Sequence, residues 1–336
     1  MKLLKFALIV ILLSMTGCSK IILKKMADGL SGESKGSAFT RDNDPQLMAD
    51  ALPLALKLYE TILEKNPKHA GIHGSTASAF CSYSYAFINF PADTLPSEQS
   101  DTKFQMHQRA KKMYLRAREY GMMGLEINHP GFREAFKTNT DSALAMMTSK
   151  DCKLLYWTGL SWMGAFNTDK FDMKLALSVP KAIKIMKKVE QLDPNYGTGS
   201  IDEFLISFYG AMPTSMGGDV AKAKVHFDRA VELTEENSAG PYIAYASAVA
   251  IPSQNRELFE ELISQALEIK PEDDKDNLLF RTIQNQKAQW YMNHIEDFFV
   301  TEETSESSDE PVEEDESIEN DTSSSDSTDS KETIEE

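Results

Sequence analysis

The chain has 336 residues and a formal net charge of −17, with 52 acidic and 35 basic side chains. Residues 301–336 hold 16 of the acidic residues and a single lysine, so this segment carries −15 and the rest of the chain only −2. A nearly balanced body has no basic excess to attract nucleic acid, which excludes nucleic-acid binding as its function.

The N-terminus has the form of a bacterial lipoprotein signal. A basic start precedes a short apolar run over 6–13, too short to cross a bilayer of roughly 30 Å. The hexapeptide Leu-Ser-Met-Thr-Gly-Cys at 13–18 resembles a lipobox, which predicts a signal peptide over 1–17 and a lipid on Cys18. Since Ser19 stands where many inner-membrane lipoproteins have Asp, we expect an anchor in the outer membrane, facing the periplasm. An ordinary secreted protein with an unrelated cysteine is the alternative.

A linker and then a long helical body follow. Residues 18–43 contain a run of Gly, Ser and Lys that is typical of a flexible linker. From 44 to 299 apolar residues recur at spacings of three and four, and strand-like alternation is hard to find. The pattern predicts an all-α body with helices near 44–65, 69–90, 102–128, 140–148, 151–167, 171–192, 196–211, 218–236, 238–251, 255–269 and 275–299.

A weak repeat runs through this body. The repeat has four positions: a first residue, a large residue four positions later, an apolar residue three positions after that, and Pro a further five positions on. Successive prolines of the repeat lie 63, 64 and then 77 residues apart. Such spacing is near twice the 34-residue unit of tetratricopeptide repeats. We therefore predict a tetratricopeptide-like solenoid of helical hairpins, whose concave face is the usual binding surface. The copies are Ala55-Tyr59-Ile62-Pro67, Arg118-Met122-Leu125-Pro130, Ala182-Met186-Val189-Pro194, Ala223-Phe227-Ala230 without the proline, and Phe259-Ile263-Ala266-Pro271.

The C-terminal segment, 300–336, consists largely of Ser, Thr, Asp and Glu. It has too few apolar residues to form a core, so we predict a disordered acidic tail. The simplest role is a solubilising tether, and a docking tail for a basic partner is the alternative.

No catalytic pattern is evident, and we predict neither enzyme activity nor a bound metal or cofactor. His69 and His73 are spaced as two metal ligands on one helix face would be, but no third ligand lies nearby, which favours a surface pair. Cys81 and Cys152 both lie in apolar helical contexts that favour buried free thiols. The periplasm would also permit a disulfide between them, and the sequence does not decide between these states.

Three aromatic and Met-rich stretches are candidates for an apolar cleft or pore. Such side chains would adapt to a hydrophobic ligand, although the same pattern is typical of a solenoid core. The candidate residues are Phe80, Tyr83, Phe87, Trp157, Trp162, Phe166, Phe208 and Met212.

Five segments together resemble the T component associated with TRAP transporters, the tripartite ATP-independent periplasmic uptake systems. The most specific of them is a Gly-Gly-Asp turn, in which Asp219 is expected to cap the following helix. The resemblance covers about 44–299. The segments are 54–87, 155–166, 212–227, Asn255-Arg256-Glu257-Leu258-Phe259-Glu260 and the closing helix from Asn285 to Phe298.

This resemblance implies a periplasmic lipoprotein accessory to a TRAP transporter. It implies association with the substrate-binding P protein, a homotrimeric assembly, and a cleft or pore with apolar lining for hydrophobic small molecules. A general lipoprotein scaffold in envelope assembly, using its repeats only for protein contacts, is the alternative function.

Overall fold

The computed structural model describes residues 36–300, and every regular element in that range is helical. No strand occurs among these residues, which confirms the predicted all-α fold class. The α-helices are α1 (Pro45–Lys65), α2 (Ala70–Ser84), α3 (Phe90–Asp93), α4 (Ser100–Asn128), α5 (Phe132–Thr138), α6 (Thr140–Ala145), α7 (Cys152–Thr168), α8 (Met173–Leu192), α9 (Ser200–Ala211), α10 (Val220–Leu233), α11 (Ala239–Tyr245), α12 (Arg256–Glu268) and α13 (Leu278–Asn293).

Two π-helical segments and several 3₁₀ turns interrupt or extend these helices. One π segment, Tyr85–Asn89, joins α2 to α3, and the other, Ala246–Ala250, extends α11. Such segments are rare and often lie at functional positions. The 3₁₀ turns are Ser97–Gln99, Ser149–Asp151, Thr214–Met216, Pro271–Asp273, Lys275–Asn277 and Ile295–Asp297.

The helix boundaries depart from the predicted ones in three places. Helix α5 was not predicted; it follows Gly131, whose φ of 89° lets the chain turn sharply after α4. Helix α8 begins at Met173, two residues later than predicted, and it is continuous through Pro180, which lies on the exposed side where water can replace the missing backbone donor. Helix α9 begins only at Ser200, because a left-handed turn at Gly199 precedes it.

Side-chain caps define where several helices begin. Asp219 accepts a hydrogen bond from the backbone N–H of Lys222 at 3.2 Å, which confirms the cap expected at α10. Asp172 accepts from Lys174 and Leu175 at the start of α8. Equivalent caps are made by Asp44 at α1, Asn139 at α6 and Asn255 at α12.

Neighbouring helices pack around one large core. Helix α7 lies between α4 and α8 and also contacts α2, so its nearly all-apolar sequence is explained by its central position. Of the predicted repeat positions, Ala55, Tyr59, Arg118 and Phe227 are partly exposed. The positions in the last three copies that are fully buried are Ala182, Met186, Val189, Ala223, Ala230, Phe259, Ile263 and Ala266. Hairpin stacking of the tetratricopeptide kind stays a prediction.

The last long helix returns to the first. The backbone N–H of Leu279 in α13 donates to the carbonyl of Thr40 at 2.9 Å, just before α1. Met48 of α1 packs with Leu279 and Ile283 of α13 in a small apolar cluster. Gly36–Phe299 therefore form one body whose two ends are in contact.

The predicted signal peptide over 1–17, the predicted lipidation site Cys18, most of the predicted linker and nearly all of the predicted acidic tail lie outside the described residues. Between 36 and 300, no helix combines the length and the apolar character that crossing a membrane requires.

Candidate functional site

The eight predicted cleft residues all belong to the main hydrophobic core or pack against it. Five are buried: Phe80, Tyr83, Trp162, Phe166 and Phe208. The other three, Phe87, Trp157 and Met212, are partly exposed. Any contact with a ligand would therefore begin at these last three positions.

The structure brings some of these residues into direct contact. The rings of Tyr83 and Phe87 lie 5.5 Å apart between their centroids. The ring of Trp162 is tilted against that of Phe136, with 6.3 Å between the centroids, and its indole N–H donates to the hydroxyl of Ser178 at 2.7 Å. A satisfied indole N–H in a buried position is typical of a core tryptophan.

Both cysteines of the described body are buried free thiols. Burial raises the pKa of Cys81 to about 12 and that of Cys152 to about 11. Neither thiol is ionised at neutral pH, so neither has the thiolate character of a reactive cysteine.

An open cavity of about 500 Å³ lies between α1, α2, α4 and the start of α5, and we name it the Glu60 cleft. None of the eight predicted apolar residues is among those that line it. Its lining combines charged, polar and apolar side chains and consists of Lys57, Glu60, Leu63, Glu64, Pro67, His73, Arg116, Tyr120, Met123, Glu126, Ile127 and Arg133.

A buried carboxylate organises several of the charged groups of this cleft. Glu60 is only 7% exposed, accepts hydrogen bonds from Lys57 at 2.5 Å and from the Tyr120 hydroxyl at 2.6 Å, and pairs with Arg116. Burial by itself would raise the pKa of Glu60, but these hydrogen bonds and the positive charges outweigh it and lower the pKa below its ordinary value. Glu60 is therefore a fixed negative charge with more than one cation beside it.

Arg116 is held from two sides. Its guanidinium pairs with Glu60 and lies 5.0 Å above the ring of Phe80. Burial and the hydrogen bond to Glu60 raise the pKa of Tyr120 to about 12, so its hydroxyl stays protonated as a donor. A stacked guanidinium beside a fixed donor is a preorganised arrangement.

His73 lies at the inner wall of the cleft, 5% exposed. Its Nε2 lies 3.0 Å from the carbonyl of Pro67 and must carry the proton, because a carbonyl only accepts. Burial lowers the pKa of His73, which keeps the ring neutral and leaves Nδ1 as an acceptor. That Nδ1 is buried and has no hydrogen-bond partner among the described residues.

The structure revises the predicted histidine pair. His73 is buried rather than exposed, and the Nδ1 of His69 accepts from the backbone N–H of Ile72 at 3.2 Å at the start of α2. No group of three or more potential metal ligands was found between residues 36 and 300.

Sequence reasoning missed the Glu60 cleft. Lys57 and Glu60 look like an ordinary pair three residues apart on a helix surface, as do Arg116 and Tyr120 four residues apart. No local sequence signal joins the two pairs, because they come together only through the packing of α4 beside α1.

Comparison with known proteins agrees with the family resemblance noted in the sequence. The chain is 33% identical over 266 residues to an uncharacterized protein of Treponema pallidum (strain Nichols), which covers 78% of this chain and 82% of that relative. The model of the TRAP transporter T-component family matches residues 41–299, which is nearly the whole helical body. The chain belongs to the TRAP transporter T-component family.

Proposed function

We propose that this protein is a lipid-anchored periplasmic accessory of a TRAP transporter that docks the solute-binding protein and passes a hydrophobic ligand through an apolar cleft or pore. The observation that carries the proposal is the family match over residues 41–299. An accessory role in a TRAP transporter follows from the family itself. Docking of the solute-binding protein, transfer of a ligand and lipid anchoring go beyond the family match and are each tested below.

Three features of the molecule support a binding rather than a catalytic role. The two thiols of the body are buried and protonated. The body is a set of packed helices, a form that other proteins use to present extended binding surfaces. Its core is rich in aromatic and Met side chains, of which Phe87, Trp157 and Met212 reach the surface.

Docking is tested with the mature body, residues 18–336 with Cys18→Ser, and the solute-binding protein encoded beside it. Analytical ultracentrifugation at micromolar concentrations should give a complex, and an unrelated periplasmic binding protein serves as the control. Absence of a complex at every concentration tested would argue against docking. The same runs report the mass of the T component alone, which should be that of a trimer.

Ligand passage is tested with an uncharged apolar fluorescent probe. We expect binding that weakens in Trp157→Ala and Met212→Ser, because both side chains pack on the core yet remain partly exposed. Phe280 of α13 is an exposed aromatic residue, so Phe280→Ala is the control for the loss of a surface aromatic side chain and should leave probe binding unchanged. Equal probe binding by all three variants would contradict an apolar path at these residues.

Anchoring is tested by mass spectrometry of the mature N-terminus and by fractionation. The wild type should carry acyl groups on Cys18 and sediment with outer membranes. Cys18→Ser should leave the protein unmodified and free in the periplasm, whereas an unacylated wild-type N-terminus would contradict the anchor.

A further inference from the structure

We propose that the Glu60 cleft is a binding site for an amphiphilic monocarboxylate, held by Arg116 and Lys57 at its head and by apolar side chains along its body. This site is separate from the apolar residues considered above, since none of them lines the cleft. The proposal does not depend on docking or on ligand transfer through the core.

The first argument is that two cations, Lys57 and Arg116, flank one buried carboxylate. Glu60 alone faces both Lys57 and Arg116. The two side chains line the cleft and are 67% and 46% exposed, so both remain accessible from solvent. Arg has five N–H donors and Lys three, which leaves several for a second carboxylate.

The other charges of the cleft are already engaged or lie at its rim. Glu126 accepts the backbone N–H groups of Gly131 and Arg133, each at 2.8 Å, and Arg133 pairs with Glu119 outside the cleft. Glu64 is exposed at the rim. Repulsion by Glu64 disfavours a second negative charge on the ligand, so the cleft fits a monoanion better than a dianion.

The second argument is the shape and chemistry of the wall. Leu63, Pro67, Met123 and Ile127 line the cleft together with the charged groups, and about 500 Å³ is within the range of small-molecule sites. A compact ion such as phosphate would leave this apolar wall in contact with water. An anion with an apolar body covers it.

The third argument is the unpaired acceptor at the inner wall. His73 Nδ1 is buried without a donor, although buried polar atoms of folded proteins nearly always have one. A hydroxyl group on the ligand body, or a water that the ligand traps, would supply the missing donor. The protein itself offers no group of the described body to this nitrogen.

The test is isothermal titration calorimetry of the folded protein with octanoate at neutral pH. We expect saturable binding at one site that weakens with added salt, because a charged head contributes to it. Octanol and acetate should each bind at least about tenfold more weakly, since one lacks the charge and the other the apolar body.

Variants locate the site and separate it from the core. Arg116→Met should weaken octanoate binding by about tenfold or more, whereas Arg109→Met, an exposed arginine two turns earlier on α4, should leave it unchanged. Glu60→Gln should strengthen binding several-fold, because it removes the carboxylate that competes for Lys57 and Arg116. Circular dichroism and thermal unfolding confirm that each variant is folded before titration.

Three results would overturn the proposal: no saturable binding of octanoate, equal binding by the Arg116 and Arg109 variants, or acetate binding as tightly as octanoate. If Arg116→Met does not fold, Glu60→Gln and Lys57→Met provide the test: octanoate binding should strengthen in Glu60→Gln and weaken in Lys57→Met. Loss of the docking complex described above has no bearing on any of these outcomes.

Discussion

Lys287 Nζ lies 3.2 Å from the hydroxyl of Tyr85, a residue 202 positions earlier in the chain. The ammonium also lies within 6 Å of three ring centroids, those of Tyr85, Phe90 and Tyr291. Tyr85 is the first residue of the π segment that follows α2, and Lys287 is in α13. This cation therefore joins α13 to the π segment that follows α2.

Removal of this lysine should loosen the contact between the two ends of the body. We expect Lys287→Ala to lower the free energy of unfolding by about 2 kcal/mol, because cation–π contacts and packing of the lysine stem are both lost. Lys287→Met keeps much of the stem, so denaturant unfolding of both variants separates the two contributions. Lys112→Ala, an exposed lysine of α4, should change stability by less than about 0.5 kcal/mol.

Two glycines should respond very differently to alanine. A Cβ on Gly218 would lie 1.7 Å from the carbonyl oxygen of Met212, which is backbone and has little freedom to move aside. At Gly131 a Cβ would meet nothing within 4 Å, and only its φ of 89° opposes a side chain. Gly131→Ala should therefore cost about 1 kcal/mol.

For Gly218→Ala we expect a loss of about 3 kcal/mol or more, because the turn into α10 has to rearrange. Hydrogen exchange should show the loss of protection concentrated at the start of α10. Asp219 caps this helix, and its backbone N–H donates to the backbone carbonyl of Tyr209 at 2.8 Å. A cost for Gly218→Ala no greater than that for Gly131→Ala would contradict this close approach.

Much of this architecture could be predicted from the sequence because the signals are local. Apolar spacing indicated the helices, and the Gly-Gly-Asp turn indicated the cap at Asp219, which the structure confirms. Helix α5 was missed because seven residues are too few to show a clear period. The two π segments were missed because they differ from α-helix only in backbone hydrogen bonding.

The Glu60 cleft could not be predicted for a different reason. Its polar groups combine Lys57 and Glu60 of α1 with Arg116 and Tyr120 of α4, about 60 residues later. Each pair resembles an ordinary surface pair on its own helix, and only the packing of α4 beside α1 joins them. Burial of His73 likewise depends on contacts with α4 that no local pattern encodes.

Glu203 of α9 should make stability depend on pH. Burial, with a smaller contribution from the neighbouring charge of Asp202, raises its pKa from the usual 4.5 to about 7. Between these values the folded protein holds a proton that the unfolded chain has released, so the free energy of unfolding falls as pH rises from about 4.5 to about 7. The carboxylate packs against Gly240, where a Cβ would lie 2.4 Å from Oε1.

We therefore expect Glu203→Gln to flatten this dependence and to raise stability at pH 8 by up to about 3 kcal/mol. Urea unfolding from about pH 4.5 to pH 8 measures the slope directly. Glu261→Gln, at an exposed position of α12, should keep the wild-type slope. An unchanged slope in Glu203→Gln would show that other groups produce the dependence.

Trp162 and Trp157 test whether the predicted apolar residues form a core or a ligand wall. Trp162 is 8% exposed, contacts Phe136, and has its indole N–H bound to Ser178. Trp162→Ala should therefore lower the free energy of unfolding by about 3–5 kcal/mol. Trp162→Phe keeps most of the ring but leaves the Ser178 hydroxyl without its donor, so it should cost less, about 1–2 kcal/mol.

Trp157 lies five positions earlier on α7 but is partly exposed. Its ring is nearly perpendicular to that of Tyr156, with 5.2 Å between the two centroids. Truncation there removes less buried area, so the loss in unfolding free energy should be under about 2 kcal/mol. Because Trp157 can reach a ligand without opening the core, its alanine variant should weaken binding of an apolar probe more than Trp162→Phe does. A stability loss at Trp157 as large as that at Trp162 would instead assign both tryptophans to the core.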